Sequence, residues 1–219
     1  MRTVIAGGHG QIALRLERLL AARGDSATGL IRNPDQAGDL RAAGAEPVAL
    51  DLESATVEQV ASVLRGADAA VFAAGAGPGS GIARKTTVDR DAAVLLADAA
   101  ESAGVRRFLI VSSMGADADS TYPDETFRAY LQAKGAADDA IRARSALDWT
   151  VLRPGSLTDE PGTGRVRLAP ATGRGSVPRD DVAAVLVALL DAPRTAGATL
   201  ELVSGDTAID DAVRSAAAG

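Results

Sequence analysis

The sequence predicts an α/β protein built on a doubly wound, mostly parallel sheet with helices on both faces. Three observations lead there. Short β-branched runs alternate with longer stretches of helical periodicity. The strand runs are almost continuously apolar, as they must be when a sheet is covered on both sides. A glycine cluster, "AGGHGQIA", stands where the first strand turns into the first helix.

The elements follow in order. Strands are expected at 2–6, 27–31, 46–50, 69–74, 107–112, 149–153 and 199–203, with helices near 11–23, 35–43, 56–65, 86–103, 124–145 and 179–191. Such alternation implies right-handed βαβ units in one sheet. Two stretches read as irregular, 75–81 ("GAGPGSG") and 153–181. Both follow strands, so they belong at the carboxyl edge of the sheet, where open α/β folds bind ligands. The 219 residues fit a single domain, 1–219, with no repeat and no separating linker.

Composition narrows the function. Charges are interleaved around a net −6, without the clustered Lys and Arg a nucleic-acid partner requires. With no cysteine and a single histidine, His9, thiolate chemistry, a Ser-His-Asp hydrolase and Cys- or His-based zinc sites are excluded and no metal is expected. The longest apolar run, 182–190, is too short for a bilayer, and the chain starts in a strand without a leader, so a cytoplasmic protein with no membrane partner is expected. Aromatics make up only 3% of the chain. The rim loops contain few of them, so no platform for a flat ring is expected there.

Gly7, Gly8 and Gly10 lie in the setting of a dinucleotide fingerprint. Gly7 permits the tight turn, Gly10 lets the backbone approach a pyrophosphate, and Ala13 allows close helix packing. The helix N-terminus supplies the anion site. The alternative is a plain tight turn. His9 either meets a phosphate or is simply exposed. No Gly-Lys-Ser/Thr follows, so this is not a Walker-type loop. The second strand ends in Ile31 and Arg32 where NAD-selective folds carry an acid. An arginine there pairs with a 2′-phosphate with nothing acidic at the strand tip to repel it, so NADP(H) is favoured over NAD(H). Otherwise Arg32 is a solvated surface residue. Asp51 and Leu52 are placed to border an adenine, or Asp51 caps the next helix.

Tyr130 and Lys134 stand four residues apart on a predicted helix and share a face. A cation near a phenol makes it a usable acid or base near neutrality. Ser112 and Ser113, ending the fifth strand, are placed to present a hydroxyl to a substrate carbonyl, or else merely cap that strand. Arg153, Arg165, Arg167, Arg174 and Arg179 make the C-terminal part basic, which suits an acidic group or an ordinary surface. Arg179, Asp180 and Asp181 open the 179–191 helix, with acids favoured in a first turn.

Taken together, "AGGHGQIA", "RNPDQ", "LDL", "ESAGVRRFLIVSSMGAD", "YLQAK", "LDWTVLRPGSLTDEPGTG" and "VPRDDVA" resemble the atypical short-chain dehydrogenase/reductases, within them the NAD(P)H-binding NmrA-like and sugar-epimerase-like proteins. The resemblance spans essentially the whole chain in motif order. It implies a Rossmann-type sheet with a small substrate lobe from 153–181 and the C-terminal segments. Gly7, Gly10, Gln11 and Ile12 would hold the pyrophosphate, with Gly8 and His9 also in the cofactor-binding loop, Arg32 would meet the adenosine phosphate, and Asp51 with Leu52 would border the adenine. Ala73, Ala74 and Gly75 would lie beside the cofactor. Tyr130 and Lys134 would be the active-site pair, Lys134 also bonding the nicotinamide ribose, and Ser113 or Ser112 the serine partner. Pro154, Gly155 and Ser156 would close over the nicotinamide. The resemblance implies an NADP(H)-dependent oxidoreductase acting as monomer or homodimer on a small carbonyl, quinone or flavin-like substrate. It leaves open a redox-sensing regulator without turnover and a nucleotide-sugar-epimerase-like enzyme.

Overall fold

The computed structural model describes residues 1–77 and 79–218. Pro78, within the glycine-rich stretch 75–81, and Gly219 lie outside the described residues. The strands are β1 (Arg2–Ala6), β2 (Ser26–Ile31), β3 (Ala45–Ala49), β4 (Ala69–Phe72), β5 (Arg107–Val111), β6 (Asp148–Pro154), β7 (Ser156–Thr158), β8 (Arg165–Ala169), β9 (Ser176–Pro178), β10 (Ala198–Ser204) and β11 (Thr207–Ala208). The helices are α1 (Gln11–Ala22), α2 (Ala37–Ala42), α3 (Val57–Leu64), α4 (Ile82–Arg84), α5 (Ala92–Ala103), α6 (Glu125–Arg142), α7 (Arg179–Leu190) and α8 (Ile209–Ala216), with a π-helical turn, Lys85–Asp91, joining α4 to α5. Among the described residues no helix is long and apolar enough to cross a membrane.

Nine strands form one sheet in the order β11-β8-β10-β6-β5-β4-β1-β2-β3. From β10 to β3 every pairing is parallel, and β8 and β11 complete the far edge antiparallel. The chain winds outward from β1 through β2 to β3, then returns to place β4 on the other side of β1. That reversal opens a crevice between the carboxyl ends of β1 and β4.

Alternate residues of the central strands feed two apolar layers. Ile5, Val71 and Leu109 pack with Leu16 and Leu20 of α1 and Val182, Leu186 and Leu189 of α7. Val4, Phe72, Phe108 and Ile110 pack with Val60 and Leu64 of α3, Leu96 of α5 and Ile141 of α6. Each such leucine is fully buried, where truncation to alanine costs about 2–5 kcal/mol. Local signals set the helix ends. Thr56 and Gln59 form a reciprocal capping box on α3, and Asp124 accepts from the Phe127 amide at 2.7 Å to open α6.

The expectation that 153–181 is irregular is corrected. It contains β7 and β9, which pair with each other, and β8, which joins the main sheet. These strands are three to five residues long and separated by Gly and Pro. In β8, "RVRLA" alternates exposed and buried positions instead of forming an apolar run. The terminal β11–α8 unit also lies beyond the elements the sequence pattern predicts. Its hydrophobic residues Ile209, Ala212 and Val213 form only one narrow buried face.

Candidate active site and dinucleotide crevice

The glycine loop is built for close approach. Gly7 has φ +79°, and a Cβ there would fall 2.6 Å from the Ala74 Cα at the end of β4. The Gly8 amide donates to the Leu30 carbonyl at 2.9 Å, holding the loop over β2. The N-cap of α1 is Gly10, which provides no capping side chain, and the first turn contains no acid. The amides at this end are therefore not screened by a side chain of their own helix, which starts a few residues beyond the carboxyl end of β1. Gly7, Ala74, Asp51, Leu52 and Arg32 share a small cleft of about 80 Å³. The loop packs too tightly on Ala74 and Gly29 to carry side chains, and it leads into a helix N-terminus without a capping side chain; both features fit close approach of a dinucleotide diphosphate to the backbone.

Three expectations about this half need adjusting. His9 is held by a side chain: its Nε2 lies 2.7 Å from Asp39 Oδ2 on α2. Asp51 caps no helix, because Thr56 does that. Its Oδ1 accepts from the Glu53 amide at 3.0 Å. An acid does reach Arg32, since Glu53 from the β3–α3 loop lies 3.1 Å from its Nη1. The strand tip itself carries none, so the sequence of β2 could not reveal it.

On the other side of the sheet edge, a cavity of about 1320 Å³ is lined by Ser112, Ser113, Tyr130, Pro154, Gly155 and Ser156. The segment carrying Ser113 is docked on the helix carrying Tyr130. The Asp117 amide donates to the Leu131 carbonyl at 3.1 Å, and Gln132 Nε2 to the Ser120 carbonyl at 2.9 Å. Gly135 makes this possible, because a Cβ there would lie 2.2 Å from the Ala118 nitrogen.

The serines differ. Ser112 is buried and its hydroxyl donates to Asp138 Oδ2 at 2.8 Å. Ser113 is half-buried, and among the described residues its hydroxyl has only a long 3.3 Å bond to the neighbouring Met114 carbonyl. Arg153 binds the same Asp138 oxygen through Nη2 at 2.7 Å. Burial pushes the Asp138 carboxyl above the usual carboxylate range, while Arg153 and Ser112 pull it back.

Lys134 is buried among acceptors. Its side chain is 4% exposed, with Nζ 3.3 Å from Asp89 Oδ1. It donates to the Val111 carbonyl at 3.1 Å and to the Ala74 carbonyl at 3.4 Å, joining the ends of β5 and β4. The cation over the Tyr130 ring is Lys85 of the π-helical turn, 5.6 Å from the ring centroid.

Contrary to the expectation drawn from the rim loops, the cavity has an aromatic wall. Tyr122 and Phe127 stack edge to face with centroids 4.8 Å apart, and Phe127 lies 5.8 Å from Tyr130. All three line the cavity, half of the six aromatic residues in the chain. The concentration escaped the sequence because Tyr122 lies in the loop before α6, outside both irregular stretches. Arg174 and Arg179 also line the cavity. Arg179 is tied to Asp159 at 2.9 Å, whereas Arg174 has no ion-pair partner among the described residues.

Comparison with known proteins agrees with the crevice. A family model described as NAD(P)H-binding matches residues 7–193. A Bacillus subtilis protein named as an uncharacterized sugar epimerase, YhfK, is 38% identical, with 98% of this chain and 99% of that protein aligned. A solved Bacillus halodurans structure named as an NAD-dependent epimerase/dehydratase superposes with a TM-score of 0.90 at 36% identity, covering 98% of this chain and 99% of that one. The Lactococcus lactis oxidoreductase YlbE superposes with a TM-score of 0.85 at 27% identity, covering 98% and 96%.

Proposed function

The chain belongs to the NAD(P)H-binding family, and we propose that it is an NADP(H)-dependent oxidoreductase reducing a small carbonyl, quinone or flavin-like compound. The observation that carries this reading is the cavity shared by Ser113, Tyr130 and the Pro154–Gly155 turn at the carboxyl edge of the sheet. The aromatic wall of Tyr122, Phe127 and Tyr130 favours a flat conjugated substrate, and Arg174 suits an anionic substituent on it.

When bound, the reduced nicotinamide supplies a hydride to the substrate. The Tyr130 hydroxyl gives its proton to the oxygen, or ring nitrogen, that gains charge, and the phenol recovers a proton from water at the open mouth of the cavity. Ser113 donates a hydrogen bond to the same atom. Lys134 keeps the ends of β4 and β5 together, so that the cofactor crevice and the Tyr130 cavity hold one geometry. The partner is a small molecule, and the protein works as monomer or homodimer in the cytoplasm.

The test is NADPH oxidation by the purified protein across quinones, flavins and aldehydes. Turnover with at least one is expected, with Tyr130→Phe lowering kcat by roughly 10²–10⁴. No turnover with any acceptor, together with at least ~10-fold different affinities for NADPH and NADP⁺, would favour a redox sensor. Interconversion of nucleotide sugars without net NADPH loss would favour the activity in the relatives' names.

A further inference from the structure

Glu53 lies at the centre of a charge cluster that the proposed chemistry does not use. Its Oε2 accepts from Arg32 Nη1 at 3.1 Å and Arg84 Nη2 at 2.6 Å. Its Oε1 accepts from Thr87 Oγ1 at 2.7 Å and Arg84 Nε at 3.4 Å. Hydrogen bonding from Arg84, aided by Thr87, holds the carboxyl below the usual carboxylate range. The two arginines are more open than the acid between them, with side chains 56% and 39% exposed against 24%. All three line the cleft that also contains Gly7, Asp51 and Leu52.

We infer that Glu53 is a resident anion in the adenosine-phosphate subsite, holding Arg32 and Arg84 in place until a ribose 2′-phosphate displaces it from them. The inference rests on the dinucleotide reading of this crevice and adds Arg84 as a second phosphate arm. Two guanidinium groups on one carboxylate leave one positive unit, which the Asp51 carboxylate lining the same cleft offsets in part. A phosphate monoester carries about −1.5 to −2 and offers three acceptor oxygens, so it satisfies both forks where the carboxylate satisfies them only in part. A neutral 2′-hydroxyl offers no comparable exchange, and an unphosphorylated ligand leaves the cluster intact. Glu53 therefore competes with the 2′-phosphate: it lowers affinity for ligands phosphorylated at the ribose 2′ position and leaves affinity for those with a free 2′-hydroxyl unchanged.

Calorimetric titration of the full chain with 2′,5′-ADP and with 5′-ADP tests this. Glu53→Gln is expected to tighten 2′,5′-ADP several-fold and leave 5′-ADP within twofold. Arg84→Ala is expected to weaken 2′,5′-ADP by roughly tenfold or more, the value of a charge-assisted hydrogen bond. Arg84→Lys should restore only part, since an ammonium lacks the fork. Thermal melts check that each variant is folded. Weaker 5′-ADP binding by Glu53→Gln would overturn the inference by making Glu53 a ligand of the ribose hydroxyls. So would equal effects of Arg84→Ala on both ligands, or flat responses to every variant while the wild type binds 5′-ADP. If the wild type binds neither ligand, the dinucleotide reading fails and the inference falls with it.

Discussion

Lys134 illustrates how a residue's surroundings outweigh its motif. An ammonium with a 4% exposed side chain needs partners, and Asp89 together with the carbonyls of Ala74 and Val111 provides them. Removing one member of such a pair leaves an uncompensated buried charge. Lys134→Met is expected to cost about 3–5 kcal/mol in urea unfolding, and the double variant Lys134→Met/Asp89→Asn to recover much of that loss. The motif Y-x-x-x-K was legible at once, because i, i+4 spacing on a helix is a local property. That the lysine would also face Asp89, and that Lys85 would lie over the Tyr130 ring, depends on a π-helical turn forty-odd residues earlier. No spacing rule reaches that far.

At the scale of elements, α6 and the segment after β5 act as one unit. Gly135 has no apparent role when the helix is read alone, where glycine costs up to about 1 kcal/mol relative to alanine. Its purpose is the backbone of Asp117 and Ala118, which lies where a Cβ would go. Gly135→Ala should improve the isolated helix, yet push the 113–120 segment away. We expect a net loss of about 1–3 kcal/mol, with a larger proportional fall in turnover than Tm alone would explain, as Ser113 leaves Tyr130. Unchanged kinetics in this variant would show that the docking is irrelevant to the site. The aromatic wall belongs to the same scale: Tyr122, Phe127 and Tyr130 meet only because a loop folds back on the helix it precedes.

Over the whole molecule, one buried group makes stability depend on pH. Glu17 of α1 is fully buried, neither carboxyl oxygen has a partner among the described residues, and Oε1 lies 2.7 Å from where a Gly29 Cβ would be. Burial raises its pKa from 4.5 to about 8, with Arg18 opposing weakly. The folded state therefore holds this proton more tightly than the unfolded chain. The contribution is fully present below pH ~4.5 and is lost as pH rises through ~8, in total on the order of 5 kcal/mol. Urea unfolding at pH 5, 7 and 9 should show this decline, and Glu17→Gln should flatten it. An unchanged slope in the variant would assign the decline elsewhere.

By itself the sequence already determined the succession of the parallel strands along the chain, the glycine turn at the first crossover, and the helix carrying Tyr130. Those depend on apolar periodicity, on a backbone conformation such as that of Gly7, and on neighbours a few residues away. The tertiary structure alone decided what meets across long separations: Glu53 on Arg32 and Arg84, Lys134 on Asp89, and three sparse aromatics in one wall. It also decided that short polar strands such as β8 would pair into the main sheet. The physical reason is that burial and charge pairing are settled by the packing of whole elements, and a one-dimensional pattern carries little trace of which distant side chain will fill a given space.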